Sequence, residues 1–498
     1  MEERYLIFNK KMPHKPLALW DELGNSRILR LSQKEAEEFV SEQKSKNSND
    51  IFYCMLEEDW RAHMEKQQYS EKDAAKYEEI QRNLNEMEGI QRKLNENDKS
   101  INGFGLPFIL DDNEDYESKL KKILKNFIEE IDQPAFKKED NLIKDVEGIC
   151  EKIIYAFKKA KNGNASKAEE VISEILREYK KYPFAVSELD KNYAFRGIAP
   201  CSNLRQKEYE KEYNNMMEGD LSFFRARVVD KETTLSNRED INYLPFSKHE
   251  LAKDMRFSSK NNICLYLGVT SFVCAEECQW DGEKNLYLSS FRFNEKGKKL
   301  KILNLAISQS LLNGMIPWDK KDVCRKEFYN NMLKVFPFTI ATSFTTLKDA
   351  DEKHDDKDEY LLSQILMDVL QKEGIDGVAY LSRQGEDDFQ YPQMVCLAIP
   401  VKDSNIKDEY GKLVLDYVMT KPVLIESAIK NSIEMNLKSY INEKYPKYLN
   451  NMNNLENSTA KIKCKGETFF YQDTCYSRVD NYLVNQVHEK ISCTTEEN

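Results

Sequence analysis

The sequence predicts an α+β protein in which a helical stretch leads into a mixed-sheet domain. Three observations carry that expectation. Three successive stretches of helical periodicity lie between about residues 106 and 182, strand-like patterning begins to dominate near 190, and the composition suits a water-facing fold with a strong helical share. The chain has 498 residues, with 40% hydrophobic and 32% charged, which is long for one core and points to two to four domains. Its net charge of −12 argues against a sequence-independent nucleic-acid binder, since phosphate binding needs a concentrated basic surface.

The first residues, Met1 to Phe8, lack the apolar core of a signal peptide, and no apolar run approaches the ~18 residues that span a bilayer. A cytoplasmic location without membrane contact is the expectation. The eleven cysteines are scattered singly with no Cys-x-x-Cys pair, and none of the five histidines sits in a metal-ligand motif. That usage fits reduced thiols packed as small hydrophobes, and it leaves zinc-site, metallohydrolase and Ser-His-Asp readings without support.

Residues 1–105 form a first region. Its opening 60 residues are mixed, and residues 61–100 carry a near-repeat in which Ile80-Gln81-Arg82-Asn83-Leu84-Asn85-Glu86 returns as Ile90-Gln91-Arg92-Lys93-Leu94-Asn95-Glu96. So charged a stretch is read as an exposed helical arm or hairpin. In the second region, 106–190, Leu120, Ile123, Leu124, Phe127, Ile128 and Ile131 recur at helical spacing, and Pro134 closes that helix. Val146, Ile149, Ile153 and Phe157 mark a second helix. After the turn Lys161-Asn162-Gly163-Asn164, residues Ala168, Val171, Ile172, Ile175, Leu176 and Tyr179 mark a third. A helical bundle follows, and the helical N-terminal region is the expected surface for self-association into a homo-oligomer.

The third region, 215–424, is where strands dominate. Residues 221–229 alternate, so that Phe224, Ala226 and Val228 lie on one face while Arg225 and Arg227 share the other. Further strands are expected at Leu286–Phe293, Leu300–Leu305, Gly377–Leu381 and Met394–Ile399, with an amphipathic helix at Tyr360–Gln371 and a turn at Gly374–Gly377. The last region, 425–498, adds a helix to about residue 441 and a hairpin near Lys461 to Tyr471.

Residues 256–277 give the third region its centre. Ile263 to Gly268 reads as a short buried strand ending at a glycine. Ser271 is placed to cap a following helix, which puts Glu276 and Glu277 in its first two turns, where acidic side chains suit the dipole. An arginine, a tyrosine and a glutamate thus bracket one strand and one helix. These are groups that a nicotinamide dinucleotide needs.

This stretch resembles the RES family of bacterial toxins, whose pattern places a tyrosine ten residues after an arginine and a glutamate eleven after that. Arg256, Tyr266 and Glu277 match those spacings. Phe224-Arg225-Ala226-Arg227 looks like the aromatic-arginine opening of that domain and nominates Arg225. Tyr360 to Gln364, followed by Gly377-Val378-Ala379-Tyr380-Leu381-Ser382, is similar to its late helix and strand and nominates Ser382. Asp416 to Val423 looks like the end of its larger members. The match covers about residues 220–424. Met255 stands where the family usually has a glycine before the arginine, and the asparagine that often follows the serine has no counterpart near Gln393.

The resemblance implies an ADP-ribosyltransferase-like fold and cleavage of the nicotinamide–ribose bond of NAD by hydrolysis or phosphorolysis, with NAD as substrate and no metal. Glu277, with Glu276 as its neighbouring alternative, would face the oxocarbenium-like ribose. Arg256 and Arg225 would hold the pyrophosphate, Tyr266 would stack on or orient the nicotinamide, and Ser382 would hydrogen-bond the ribose or amide. A growth-arrest toxin or defence effector also implies a neutralising antitoxin or regulatory protein. Two other readings stay open at this point: transfer of ADP-ribose to a protein or nucleic acid, and a catalytically silent NAD-binding or partner-binding module.

Overall fold

The computed structural model describes residues 100–111, 114–132, 140–196, 221–259, 262–314, 323–346, 358–385, 392–401, 409–439, 461–464, 467–471 and 474–491, together with strands and a few further positions between residues 5 and 56. The chain divides into two compact units, Met1–Lys99 with Asp473–Cys475, and Ser100–Gln472 with Tyr476–Asn498. In the first, Tyr5–Asn9 pairs antiparallel with Met12–Pro16, Arg30–Leu31 and Phe52–Leu56, and Ala18–Trp20 pairs with Ser26–Ile28. The charged arm expected over 61–99 lies outside the described residues.

The second unit is α+β. It opens with β1 (Phe108–Leu110) and three helices, α1 (Tyr116–Ile131), α2 (Asp140–Lys161) and α3 (Ala165–Tyr179). Asp115 caps α1 by accepting the Ser118 amide at 2.9 Å, and the buried stripe Tyr116, Leu120, Leu124, Phe127 and Ile131 recurs at helical spacing. Between α2 and α3 the chain reverses at Gly163, whose φ of 77° suits a residue without a Cβ, and Asn164 then accepts the Lys167 amide as the cap of α3.

A nine-stranded sheet follows, formed by β2 (Val186–Glu188), β3 (Phe223–Val229), β4 (Cys264–Gly268), β5 (Asn285–Phe293), β6 (Lys301–Leu305), β8 (Gly377–Leu381), β9 (Val395–Pro400), β10 (Tyr417–Met419) and β11 (Val423–Leu424). The order is β10-β5-β3-β4-β9-β8-β6-β2, with β11 also on β5. Within this sheet, among the described residues, the β6–β8 pair is parallel and the other pairs are antiparallel. The helix α4 (Ser271–Glu277) follows β4, while α5 (Val323–Ala341) and α6 (Asp358–Leu370) join β6 to β8, with β7 (Phe344–Thr346) between them. β7 pairs in parallel with β1, and α2 and α3 pack on α5 and α6. The three N-terminal helices and the sheet therefore share one continuous core.

Two details position the site. β3 and β4 touch at the single register pair Gly268↔Phe224 and then diverge, so the sheet splays there. At that crossing Gly268 admits α4, since a Cβ on it would lie 2.4 Å from Val273 Cγ1 and 2.7 Å from Cys274 Sγ. The sequence places the cap of α4 at Ser271; in the structure it is Thr270, whose Oγ1 accepts the Val273 amide at 3.1 Å and donates to the Gln393 carbonyl at 2.8 Å. The helix is only two turns long, so Glu276 and Glu277 fall at its C-terminal end and not in a favourable N-terminal dipole.

After β11 come α7 (Ile425–Ser439), the hairpin β12–β13 (Lys461–Cys464 and Glu467–Phe470) and α8 (Cys475–Val484). The last described segment returns to the sheet, where Glu489 and Met419 exchange backbone hydrogen bonds at 3.0 Å. No helix among the described residues is long and apolar enough to cross a membrane.

Candidate functional site

The segment before β4 makes a tight turn in which Met255 and Ser258 bond each other's backbone, with N···O distances of 2.8 and 3.2 Å, and present Arg256 and Phe257 at the tip. Gln364 of α6 steadies it by donating to the Met255 carbonyl at 3.3 Å. Phe257 is fully buried with its ring 4.5 Å from that of Tyr380, which fixes the direction in which Arg256 leaves the turn. The Arg256 guanidinium is buried and lies 5.0 Å from the Tyr380 ring. It donates from Nη1 to the Leu381 carbonyl at 3.0 Å and from Nη2 to Ser343 Oγ at 3.2 Å, while its buried Nε has no partner. Burial, helped by the like charge of Arg383, pulls its pKa down to about 10.

The next residue after Leu381 is Ser382, also buried. Its hydroxyl donates to Glu277 Oε1 and accepts the Gln384 amide at 3.1 Å, so the hydroxyl proton is directed at the carboxylate. Glu277 itself is exposed at the end of α4. Glu276 is half-buried, and its pKa is raised by burial and by the charge of Glu277. Because Ser382 reaches Glu277, it is Glu277 that the fold joins to the other nominated residues. Tyr266 of β4 donates from its phenol to Ser258 Oγ at 3.0 Å, two residues from Arg256, and burial holds its pKa well above the ordinary tyrosine value. Arg256, Tyr266, Glu277 and Ser382 are thus linked through two short stretches, 256–258 and 381–382.

Arg225 is placed differently. It fills the splay between β3 and β4, donating from Nη1 to the Tyr266 carbonyl at 3.0 Å and from Nε to the Ile241 carbonyl at 2.8 Å. Arg225, itself on β3, thus ties β4 through the Tyr266 carbonyl and the turn at residues 238–241 through the Ile241 carbonyl, and serves as a brace between strands. It forms no hydrogen bond to Glu277, Ser382 or Arg256. Arg227, on the same face, is exposed and donates to the Asp240 carbonyl.

Several residues at the site escape the sequence reading. Ser343, between α5 and β7, receives Arg256, and nothing in its local pattern marks it. Tyr380 alternates within a buried strand like any core aromatic. Arg383, next to the nominated Ser382, was visible as a cation but had no spacing to recommend it. It donates from Nη1 to the Phe344 carbonyl and from Nη2 to the Tyr360 phenol at 2.7 Å.

No known protein-family model matches the chain, and no solved structure matches it. Over 212 residues it is 28% identical to a Bacillus subtilis (strain 168) protein described as "Putative toxin YopC", a stretch that covers 41% of this chain and 46% of the relative. The chain therefore spans about half the length of that relative.

Proposed function

We propose that the protein is a toxin that cleaves the nicotinamide–ribose bond of NAD. The observation that carries this reading is the hydrogen bond from buried Ser382 to Glu277, beside the buried guanidinium of Arg256, buried Tyr380 and half-buried Tyr266. Breaking that bond develops positive charge on the ribose as neutral nicotinamide leaves, so one oriented carboxylate is the most effective group available. Glu277 supplies it, and Ser382 sets its orientation. Arg256 provides a cation for the pyrophosphate, and Tyr266 with Tyr380 offers aromatic surface to the nicotinamide. Water or phosphate then captures the ribosyl carbon. The partial likeness to a protein named as a toxin supports the biological half of the reading, and a toxin of this kind calls for a neutralising partner in the producing cell.

The test is nicotinamide release from NAD by the purified chain, with and without phosphate. Glu277→Gln is expected to lower kcat on the order of 100- to 1,000-fold, with Glu276→Gln close to wild type. Equal turnover by wild type and Glu277→Gln removes Glu277 from the mechanism. Label from NAD appearing on a macromolecule identifies a transferase instead.

A further inference from the structure

We infer that Arg383 and Arg256 together form the subsite for the pyrophosphate of the dinucleotide, while Arg225 remains a brace between strands. This rests on the NAD reading above. The two guanidiniums are held by consecutive residues of one segment, Arg256 by Ser343 Oγ at 3.2 Å and Arg383 by the Phe344 carbonyl. They are also tied to consecutive residues of another, since Arg256 bonds the Leu381 carbonyl and Arg383 follows Ser382. Both thus sit at the end of β8, beside the hydroxyl that orients Glu277.

Among the described residues, the two charges are unbalanced. Every hydrogen-bond acceptor of Arg256 and Arg383 is a neutral carbonyl or hydroxyl, and among the described residues neither guanidinium is ion-paired with a carboxylate. Glu277, which attracts Arg256 at longer range, is engaged by Ser382. Arg256 is 7% exposed and keeps a buried Nε–H with no partner. Arg256 is buried and Arg383 half-buried, their like charges repel, and an anion brought by a ligand would relieve that repulsion. Guanidiniums offer forked donors to paired oxygens, and two of them match the two charged phosphates of a dinucleotide. Arg225 cannot take that part without abandoning the Tyr266 and Ile241 carbonyls.

Calorimetric titration of the full chain with inorganic pyrophosphate and with ADP-ribose tests the subsite without turnover. Arg383→Gln is expected to weaken both ligands on the order of 10- to 100-fold and to raise KM for NAD in parallel, with kcat changed less than about threefold. Arg383→Lys should recover part of the loss, and Glu277→Gln should keep pyrophosphate affinity. Tyr360→Phe, which removes one bond to Arg383 but neither cation, should bind within a few-fold of wild type. Its melting curve shows whether the α6 contact alone upsets the fold.

Pyrophosphate affinity and NAD KM unchanged in Arg383→Gln overturn the proposal, as does a rise confined to the KM for inorganic phosphate, which would make the cations an acceptor site. Arg383-dependent pyrophosphate binding without nicotinamide release leaves the subsite standing and removes the NAD reading. Nicotinamide release by a chain that does not bind pyrophosphate does the reverse.

Discussion

Asp480 is the most unusual single residue outside the site. Its carboxyl, on α8, is fully enclosed; it accepts the Ser271 amide at 2.8 Å at the start of α4 and the Tyr471 phenol. Burial outweighs those two bonds and pushes its pKa up to about 7. A raised value in the folded state means that the fold binds the proton more tightly than the unfolded chain does. Its contribution to stability is therefore complete below about pH 4, the unfolded value, and is lost as pH rises through about 7. Asp480→Asn keeps the shape and removes the titration. Denaturation at several pH values is expected to show wild type falling relative to Asp480→Asn between pH 4 and 7, by on the order of 4 kcal/mol at most. A pH-independent difference would place the ionisation elsewhere.

His488 reports the opposite sign. Burial and the nearby Arg292 and Arg238 depress it to about 4, with Nε2 3.1 Å from Ser290 Oγ and Nδ1 2.8 Å from the Gln486 carbonyl. The stability it confers is present above about pH 6.5 and lost as pH falls toward 4.

At the scale of elements, α4 rests on one close approach. Gly268→Ala sets a methyl against Val273 and Cys274, so the helix must shift to accept it. A loss of about 1–3 kcal/mol by urea denaturation is expected, with nicotinamide release falling further than the remaining folded fraction because Glu277 rides on the same two turns. Gly268→Ala with Val273→Ala should recover part of both. Unaltered turnover in Gly268→Ala would show that the site tolerates a displaced α4.

Most elements of the second unit were legible because each carries one clear period. The stripe of α1 and the run of β4 read directly, since one face or both is buried. The helix α5 did not: Tyr329, Met332, Leu333, Val335, Phe336, Phe338 and Ile340 are buried all around it, and Pro337 lies within. A helix enclosed on every side has no polar face to set a period. The Thr270 cap was misread by one residue because Ser271 and Thr270 are chemically interchangeable there. At the candidate site, Arg256, Tyr266 and Glu277 are nominated by spacing and Ser382 by the likeness of its helix and strand, whereas Ser343 and Arg383 join them through tertiary contacts that neither signal records.

On the scale of the molecule, the N-terminal helices are structural partners of the sheet. The Tyr116 phenol donates to the Ala341 carbonyl at 2.6 Å, Arg177 pairs with Glu373 at 2.7 Å, and β1 steadies the Ser343–Phe344 segment that holds the two site arginines. A chain beginning at Ser100 is expected to melt as one cooperative unit and to retain nicotinamide release. One beginning at residue 183, without α1 to α3, should lose cooperative melting, because the apolar faces of α5 and α6 would meet water. Calorimetry on both chains checks this, and cooperative melting of the shorter one would make the helices dispensable.

The bond between Asp480 and Ser271 spans 209 positions of the chain. A ribosome synthesising this protein releases Glu277 long before the residue that fastens the start of its helix. Until α8 emerges, α4 is held by the Thr270 cap, by Cys274 Sγ on the Phe224 carbonyl at 3.2 Å and by the bond from Ser382 to Glu277, but its first amide lacks the Asp480 acceptor. The order of translation would then delay the final setting of the Glu277 helix until α8 has been made.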